Sequence, residues 1–302
     1  NLTEVYIPAT VERIDADAFM WCDSLTNVFI EQGLVDIEDC AFKWSKNIAQ
    51  VVLPDSLTRI GNNAFDGCNR LLGLKIPTNV LQIGIRAFCD CRNLRNLTIP
   101  DSVRILGDQA FAWCSGLTNV VIGVGITNIG RGVFSYCEEL SDVRIRGNLC
   151  EIGEESFGSC SNIQNLDWLA GNVQIGENAF WDCKGFVNLV IPDNVMGISR
   201  GAFMGCENLE CLTVGNGVTN IGSGAFSSCI RLARVDLGPH VQRIEGGAFS
   251  RDYQLQRIVI PDSVTYLGDH LFYRCSNLPD VVLGDGVTTL PFRVFYESPK
   301  LP

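Results

Sequence analysis

The chain has 302 residues, 46% hydrophobic and 19% charged, which is enough to bury a sizeable core and unlike a disordered or low-complexity segment. A formal net charge of -11 excludes the basic surface that binding to nucleic acid or to anionic lipid requires. No apolar run reaches the roughly eighteen residues of a membrane span, so membrane insertion is not expected.

Taken in chain order, the first predicted elements already contain the whole plan. "LTEVYIP", residues 2–8, alternates with period two and predicts a short strand with one face inward. Proline and small polar residues then predict a turn. "IDADAFMWC", residues 14–22, lacks a run of β-branched residues and is too short for more than about one turn of helix, so 3₁₀ or a single α-turn is expected.

The plan repeats every 23 residues. Phenylalanine recurs thirteen times without insertion or deletion, from Phe19, Phe42 and Phe65 to Phe272 and Phe295. Five residues before it stands Ile or Leu, followed in eight repeats by glycine (Gly61 and Gly84 among them). Apolar residues also hold the positions six, nine and eleven after it, and proline often follows, as at Pro54, Pro77 and Pro100. One such unit cannot bury its apolar positions alone, whereas stacked units form a continuous core and a parallel sheet. The expectation is a single curved solenoid over residues 1–302, read as a segment of a longer chain because it starts and stops inside a repeat.

Three residues after the phenylalanine, ten repeats carry cysteine; Ser45, Asp252 and Ser298 are the exceptions. A ladder of cysteines has no natural disulfide pairing. Zinc needs four convergent ligands, and the chain has one CxC (Cys89, Cys91) and two histidines, His240 and His270. A catalytic thiolate needs a neighbouring base or cation that does not recur here. The column is therefore read as packing, cysteine serving as a small buried hydrophobe. Of the four cysteines outside the column (Cys40, Cys89, Cys150, Cys211), Cys211 is expected to be the exposed thiol. Asp55, Asp101, Asp193, Asp262 and Asp285 share a turn column and read as turn formers rather than as catalytic or calcium-binding carboxylates. No enzyme, metal or cofactor is expected.

If the inward strand positions are nine and eleven after phenylalanine, those at eight and ten face outward. The first of these columns is rich in amides (Asn27, Gln50, Asn96, Asn119, Asn165, Asn188) and becomes cationic at Arg234 and Arg257. The second is apolar: Tyr6, Phe29, Val52, Val121, Val190, Val259. Exposed apolar strips mark contact sites, which makes this face the candidate surface for a partner. Just after the phenylalanines, Trp21, Trp44, Trp113, Tyr136 and Trp181 form a second candidate surface, able to hold a protein or a sugar or to pack along the stack. Sequons stand at Asn1 and Asn96, and a glycan at Asn96 would obstruct the strand face.

The pattern "LTIPDSVRILGDQAFAWCSGLTNV", residues 97–120, closely resembles the BspA-like (Treponema pallidum-type) leucine-rich repeat family, and the joint I-P, I-G and AF-xx-C signature runs through essentially the whole chain. The resemblance implies an α/β repeat solenoid, a right-handed superhelix with a parallel sheet on its concave face and short helical or 3₁₀ turns opposite. It also implies a protein of the cell surface or secreted, with an adhesion or host- and matrix-protein-binding role, while fourteen largely unpaired cysteines favour a reducing compartment and keep a cytoplasmic location open. The expected function is a recognition scaffold that binds a protein partner, with a glycan as second choice. The alternative is a structural protein that self-associates through its coil ends.

Overall fold

Each Leu-x-Ile segment buries alternate side chains against the coils beside it, so the strand predicted from period-two alternation forms where the next coil supplies a hydrogen-bonding partner. The computed structural model describes residues 2–300, grouped into two compact units, Asn1–Asn148 and Leu149–Pro302. Each is a parallel β-solenoid. In unit 1 the strands Glu4–Ile7, Asn27–Ile30 and Gln50–Val52 pair in parallel, as do Asn96–Ile99, Asn119–Ile122 and Asp142–Ile145. In unit 2 the ladder runs through Asn188–Ile191, Cys211–Val214, Arg234–Asp236, Arg257–Ile260 and Asp280–Leu283. The register of these strands is one repeat: Tyr6 lies beside Phe29, and Phe29 beside Val52; in unit 2 the pairing of Val173–Ile175 with Val195–Ile198 shifts by one residue between Val173 and Gln174.

A second ladder is built from the residues that end in the conserved Ile or Leu. Arg13–Ile14, Asp36–Ile37, Arg59–Ile60, Gln82–Ile83 and Ile105–Leu106 pair in sequence in unit 1. Glu151–Ile152 through Tyr266–Leu267 do the same in unit 2. Two-residue strands carry no readable periodicity, which is why a turn was expected there. The glycine that follows has a steric cause: a Cβ on Gly84 would lie 2.6 Å from the backbone of Gly61 and Asn62 in the preceding coil.

The segment around each phenylalanine is not helical, which corrects the expectation of helical or 3₁₀ turns; among the described residues there is no helix. The residues two before and two after the phenylalanine have positive φ in all thirteen repeats, as at Cys40 (58°) and Trp44 (60°) around Phe42. These left-handed residues turn alternate peptide groups along the stack. The Cys40, Phe42 and Trp44 amides donate to the carbonyls of Asn62, Ala64 and Asp66 in the next coil at 2.8, 2.7 and 2.7 Å. The intervening amides of Lys43 and Ser45 close local turns at 3.0 and 3.1 Å. A helix would direct all of these donors along its own axis and leave the coils unjoined.

Inside this cage the phenylalanines stack nearly coplanar, for example Phe65 on Phe88 at 5.1 Å and Phe203 on Phe226 at 5.2 Å. All but the end members are fully buried. The strand face is interrupted twice. Residues 73–76 touch the ladder only through a bridge between Gly73 and Gln50. Residues 165–168 form a turn in which the Asn165 carboxamide oxygen accepts the Asp167 amide and the Trp168 indole donates to the Asn165 carbonyl at 3.0 Å.

The left-handed positions can be tested at Arg251, which is exposed with a φ of 64°. Arg251→Gly is expected to hold or raise the urea midpoint, whereas Arg251→Val should cost about 1–2 kcal/mol. Equal midpoints for the two variants would contradict the backbone conformation.

Candidate functional site

The recurring cysteine was the first candidate for chemistry, and its surroundings show what it does. The phenylalanine carbonyl accepts the amide three residues on, as Ser45 to Phe42 at 3.1 Å, and has a second lone pair for a side-chain donor. The thiol 26 residues on supplies it: Cys68 to Phe42 at 3.4 Å, Cys114 to Phe88 at 3.2 Å, Cys183 to Phe157 at 3.1 Å and Cys275 to Phe249 at 3.0 Å. Ser45 and Ser298 make the same bond with hydroxyls, to Phe19 at 2.6 Å and Phe272 at 2.7 Å, and accept the amides of Cys22 and Cys275 in return. The column is thus more than the apolar filler expected from sequence: it is a row of small donors. All fourteen cysteines are free thiols. Burial pushes the thiols of Cys68, Cys91, Cys114, Cys183, Cys206, Cys229 and Cys275 well above the usual range, and Cys89 up to about 12. That is the reverse of nucleophile activation.

Asp252 breaks the column. It is fully buried, its Oδ1 accepts the Cys229 amide at 2.9 Å, and its Oδ2 has no partner. To act as a donor like its column mates it must hold a proton, and burial raises its pKa well above the carboxylate range.

The turn aspartates are likewise occupied by the backbone. Asp101, Asp193 and Asp262 accept the amides of Val124, Asn216 and Asp285 one coil on, at 3.1, 2.7 and 2.9 Å. Among the described residues no group of three or more His, Cys, Asp or Glu is placed to hold a metal.

The strand face presents the outward columns as expected, with one exception. Tyr6 (72% exposed) and Phe29 (37%) stack at 4.7 Å, and Val52 (62%) continues the strip. Val121 is half-buried, while in unit 2 Val190 and Val259 are exposed. In the neighbouring column Asn27 donates to Glu4 at 3.0 Å, Asn119 to Asn96 at 2.7 Å, and Gln50 and Asn188 are exposed. Arg234 and Arg257 are exposed register partners, Arg257 pairing with Asp280 at 3.0 Å. The exception is Asn165, which leaves the strand face because its Asx turn and the packing of Trp168 onto Phe157 (5.3 Å) replace the strand. The sequon residue Asn1 lies outside the described residues.

The aromatic surface is mostly committed to the stack. Trp21 and Trp44 stack at 5.8 Å, with the Lys46 ammonium within 6 Å of both rings as a cation–π partner. A side chain at Gly67 would overlap Trp44, and one at Gly158 would overlap Trp181. Trp113 and Tyr136 stack at 3.8 Å. Only Trp21 and Trp113 in this group are about half exposed. Sequence reasoning missed the exposed thiol: Cys211 is half-buried between its register partners Asn188 and Arg234, and Cys150 is the exposed one.

Two outcomes follow from these environments. Alkylation of the native protein at neutral pH should mark Cys150 rapidly and leave Cys91 and Cys114 unmodified until unfolding, as read by peptide mass mapping; early labelling of the column would contradict its burial. Asp252 keeps its proton to higher pH when folded than when unfolded, where its pKa is about 4. Its contribution to stability is therefore complete below about pH 4 and is lost as pH rises through the folded-state value. Asp252→Ser should accordingly be more stable than the wild type at pH 8, by about 1–3 kcal/mol, with the gap closing toward pH 4. A pH-independent gap in urea denaturation would contradict the buried acid.

The columns can now be compared with known proteins. The family described as "BspA type Leucine rich repeat region" matches residues 1–104, 71–186 and 173–302, in six copies. A leucine-rich repeat protein of Bacteroides ovatus has the same fold with a TM-score of 0.79 and 24% identity, over 99% of this chain and 85% of its own. A leucine-rich cell surface protein of Faecalibacterium prausnitzii matches with a TM-score of 0.58 and 22% identity, over 100% of this chain and 87% of its own. No curated protein sequence matches significantly. With its repeat signature matched from end to end, the chain belongs to the BspA-type leucine-rich repeat family.

Proposed function

We propose that the protein is a non-enzymatic recognition scaffold that binds a protein partner through its strand face. One observation carries this reading: Tyr6, Phe29 and Val52 form a continuous exposed apolar strip across three register-paired strands. Large aromatic side chains held rigidly in water lose little entropy on binding and make effective anchors. The amide and arginine columns beside the strip supply directional contacts that discriminate between partners. Exposure at the cell surface fits the description of the Faecalibacterium relative, and an adhesive role toward host or matrix proteins fits the family.

The test is an array of soluble host and matrix proteins probed with wild type and with the Tyr6→Ser, Phe29→Ser double variant. A genuine partner should bind the variant at least about tenfold more weakly, the loss of roughly 1.4 kcal/mol expected for a disrupted anchor. Partners indifferent to the double variant but lost with Trp21→Ser and Trp113→Ser would move the surface to the turn face and overturn the reading. Light scattering separates recognition, which expects a monomer across concentrations, from assembly by self-association.

A further inference from the structure

Among the described residues of unit 1, one coil of the strand face lacks ladder pairing on one side. Every other pair of successive coils in the unit's two three-stranded sheets exchanges backbone hydrogen bonds there. Residues 73–76 make one bridge toward Gln50, and among the described residues no ladder pairing joins them to Asn96–Ile99. The defect is confined to this face. The same coils remain joined by the second ladder, Arg59 to Gln82 to Ile105, and by the turn amides, Asn63 to Ile85 at 2.8 Å and Arg86 to Asp108 at 2.9 Å. Leu74 and Ile76 still reach the core, and Phe88 still stacks between Phe65 and Phe111.

The local cause is Gly73, which stands where neighbouring repeats carry Gln50 and Asn96 and weakens the strand. A Cβ there would meet nothing within 4 Å. Beside it opens a cleft of about 850 Å³ lined by Gln50, Val52, Leu72, Gly73, Lys75 and Asn96. A second cleft, which shares Leu74, Lys75 and Asn96 with the first, is bordered by Thr98, Asp101 and Arg146. Residues 73–76 thus lie between Gln50–Val52 and Asn96–Ile99, bridged to the first at Gly73 and unpaired with the second, so the edge of Asn96–Ile99 toward them keeps main-chain groups that elsewhere build the ladder. An unpaired strand edge is a template for another strand.

We propose that this opening is a peptide slot in which an extended, proline-free segment of a protein partner pairs with the free edge of Asn96–Ile99 through its main chain. Main-chain hydrogen bonds supply the affinity and alternate side chains the selectivity. The exposed Val52 and Leu72 favour an apolar side chain on that flank. The proposal rests on strand-face recognition and locates its specific part.

Hydrogen exchange on the free protein comes first. The amides of Asn96 and Thr98, which point toward the opening, should exchange at least tenfold faster than those of their register partners Asn119 and Val121, and equal protection overturns the slot. A displayed heptapeptide library is then selected on the wild-type protein. Recovered peptides should protect the Asn96 and Thr98 amides and lose at least tenfold in affinity when alternate peptide nitrogens are methylated. They should bind equally weakly to the Gly73→Asn, Lys75→Thr variant, whose 73–76 sequence becomes that of the paired strand 96–99. Peptides that ignore both changes, or a selection in which none protects the Asn96 and Thr98 amides, overturn the slot. Peptides or proteins lost instead with Tyr6→Ser, Phe29→Ser leave strand-face recognition standing without it.

Discussion

The structure depends on one constraint: each coil's buried backbone groups are satisfied by the coil next to it, at fixed offsets. The strand ladders, the turn amides around phenylalanine, the thiol column and the turn aspartates all reach into the adjacent coil, each at its own constant offset. A buried unpaired polar group costs about 1–3 kcal/mol, and one extra residue would displace every column of a coil at once. On the strands it would also turn the inward face outward. The absence of any insertion across thirteen repeats is the consequence of that shared register.

The same constraint explains why strained backbone is tolerated. A left-handed non-glycine residue costs roughly 1–2 kcal/mol, and twenty of the positions flanking the phenylalanines are of this kind. Each pair of them directs three amides to the next coil, and hydrogen bonds worth about 0.5–1.5 kcal/mol each offset the cost. Only stacking supplies the acceptors, so an isolated coil would carry the strain without the compensation.

This division marks what was legible in the sequence. The phenylalanine register, the inward strand positions and the burial of the column cysteines followed from hydrophobic spacing, because a core position declares itself by side-chain type. The short second ladder and the left-handed turns did not, because they are arrangements of backbone that apolar periodicity does not encode. A signal was present nonetheless: neither flanking column contains valine, isoleucine, threonine or proline, while glycine, asparagine and aspartate recur there. Residues excluded from positive φ were missing from those columns. The donor role of cysteine was similarly written in its exchange with Ser45 and Ser298, which volume alone was taken to explain. Asn165 was misplaced because its repeat keeps the register but reads Asn-Leu-Asp-Trp, and an Asx turn with a packed Trp168 overrides a strand that length and spacing would allow.

In a scaffold where backbone and core are set by the repeat, freedom to specify a function lies in the outward columns and in the repeats that depart from the pattern. Most outward residues are constrained by their own column: asparagines ladder on asparagines, tryptophans cover glycines one coil away, and aspartates cap amides. Tyr6, Phe29 and Val52 lie outside the core, and although the two rings stack on each other, all three side chains remain exposed. The opening at Gly73 is the complementary case, a repeat that keeps its length, its phenylalanine and its buried Leu74 and Ile76 yet gives up strand pairing on one side. Both departures fall in the same unit and on the same face, separated by Gln50–Val52, which contributes Val52 to the strip and its edge to the opening. A partner that met the aromatic strip would therefore lie alongside an unpaired strand edge, and the two features together define a more selective surface than either alone.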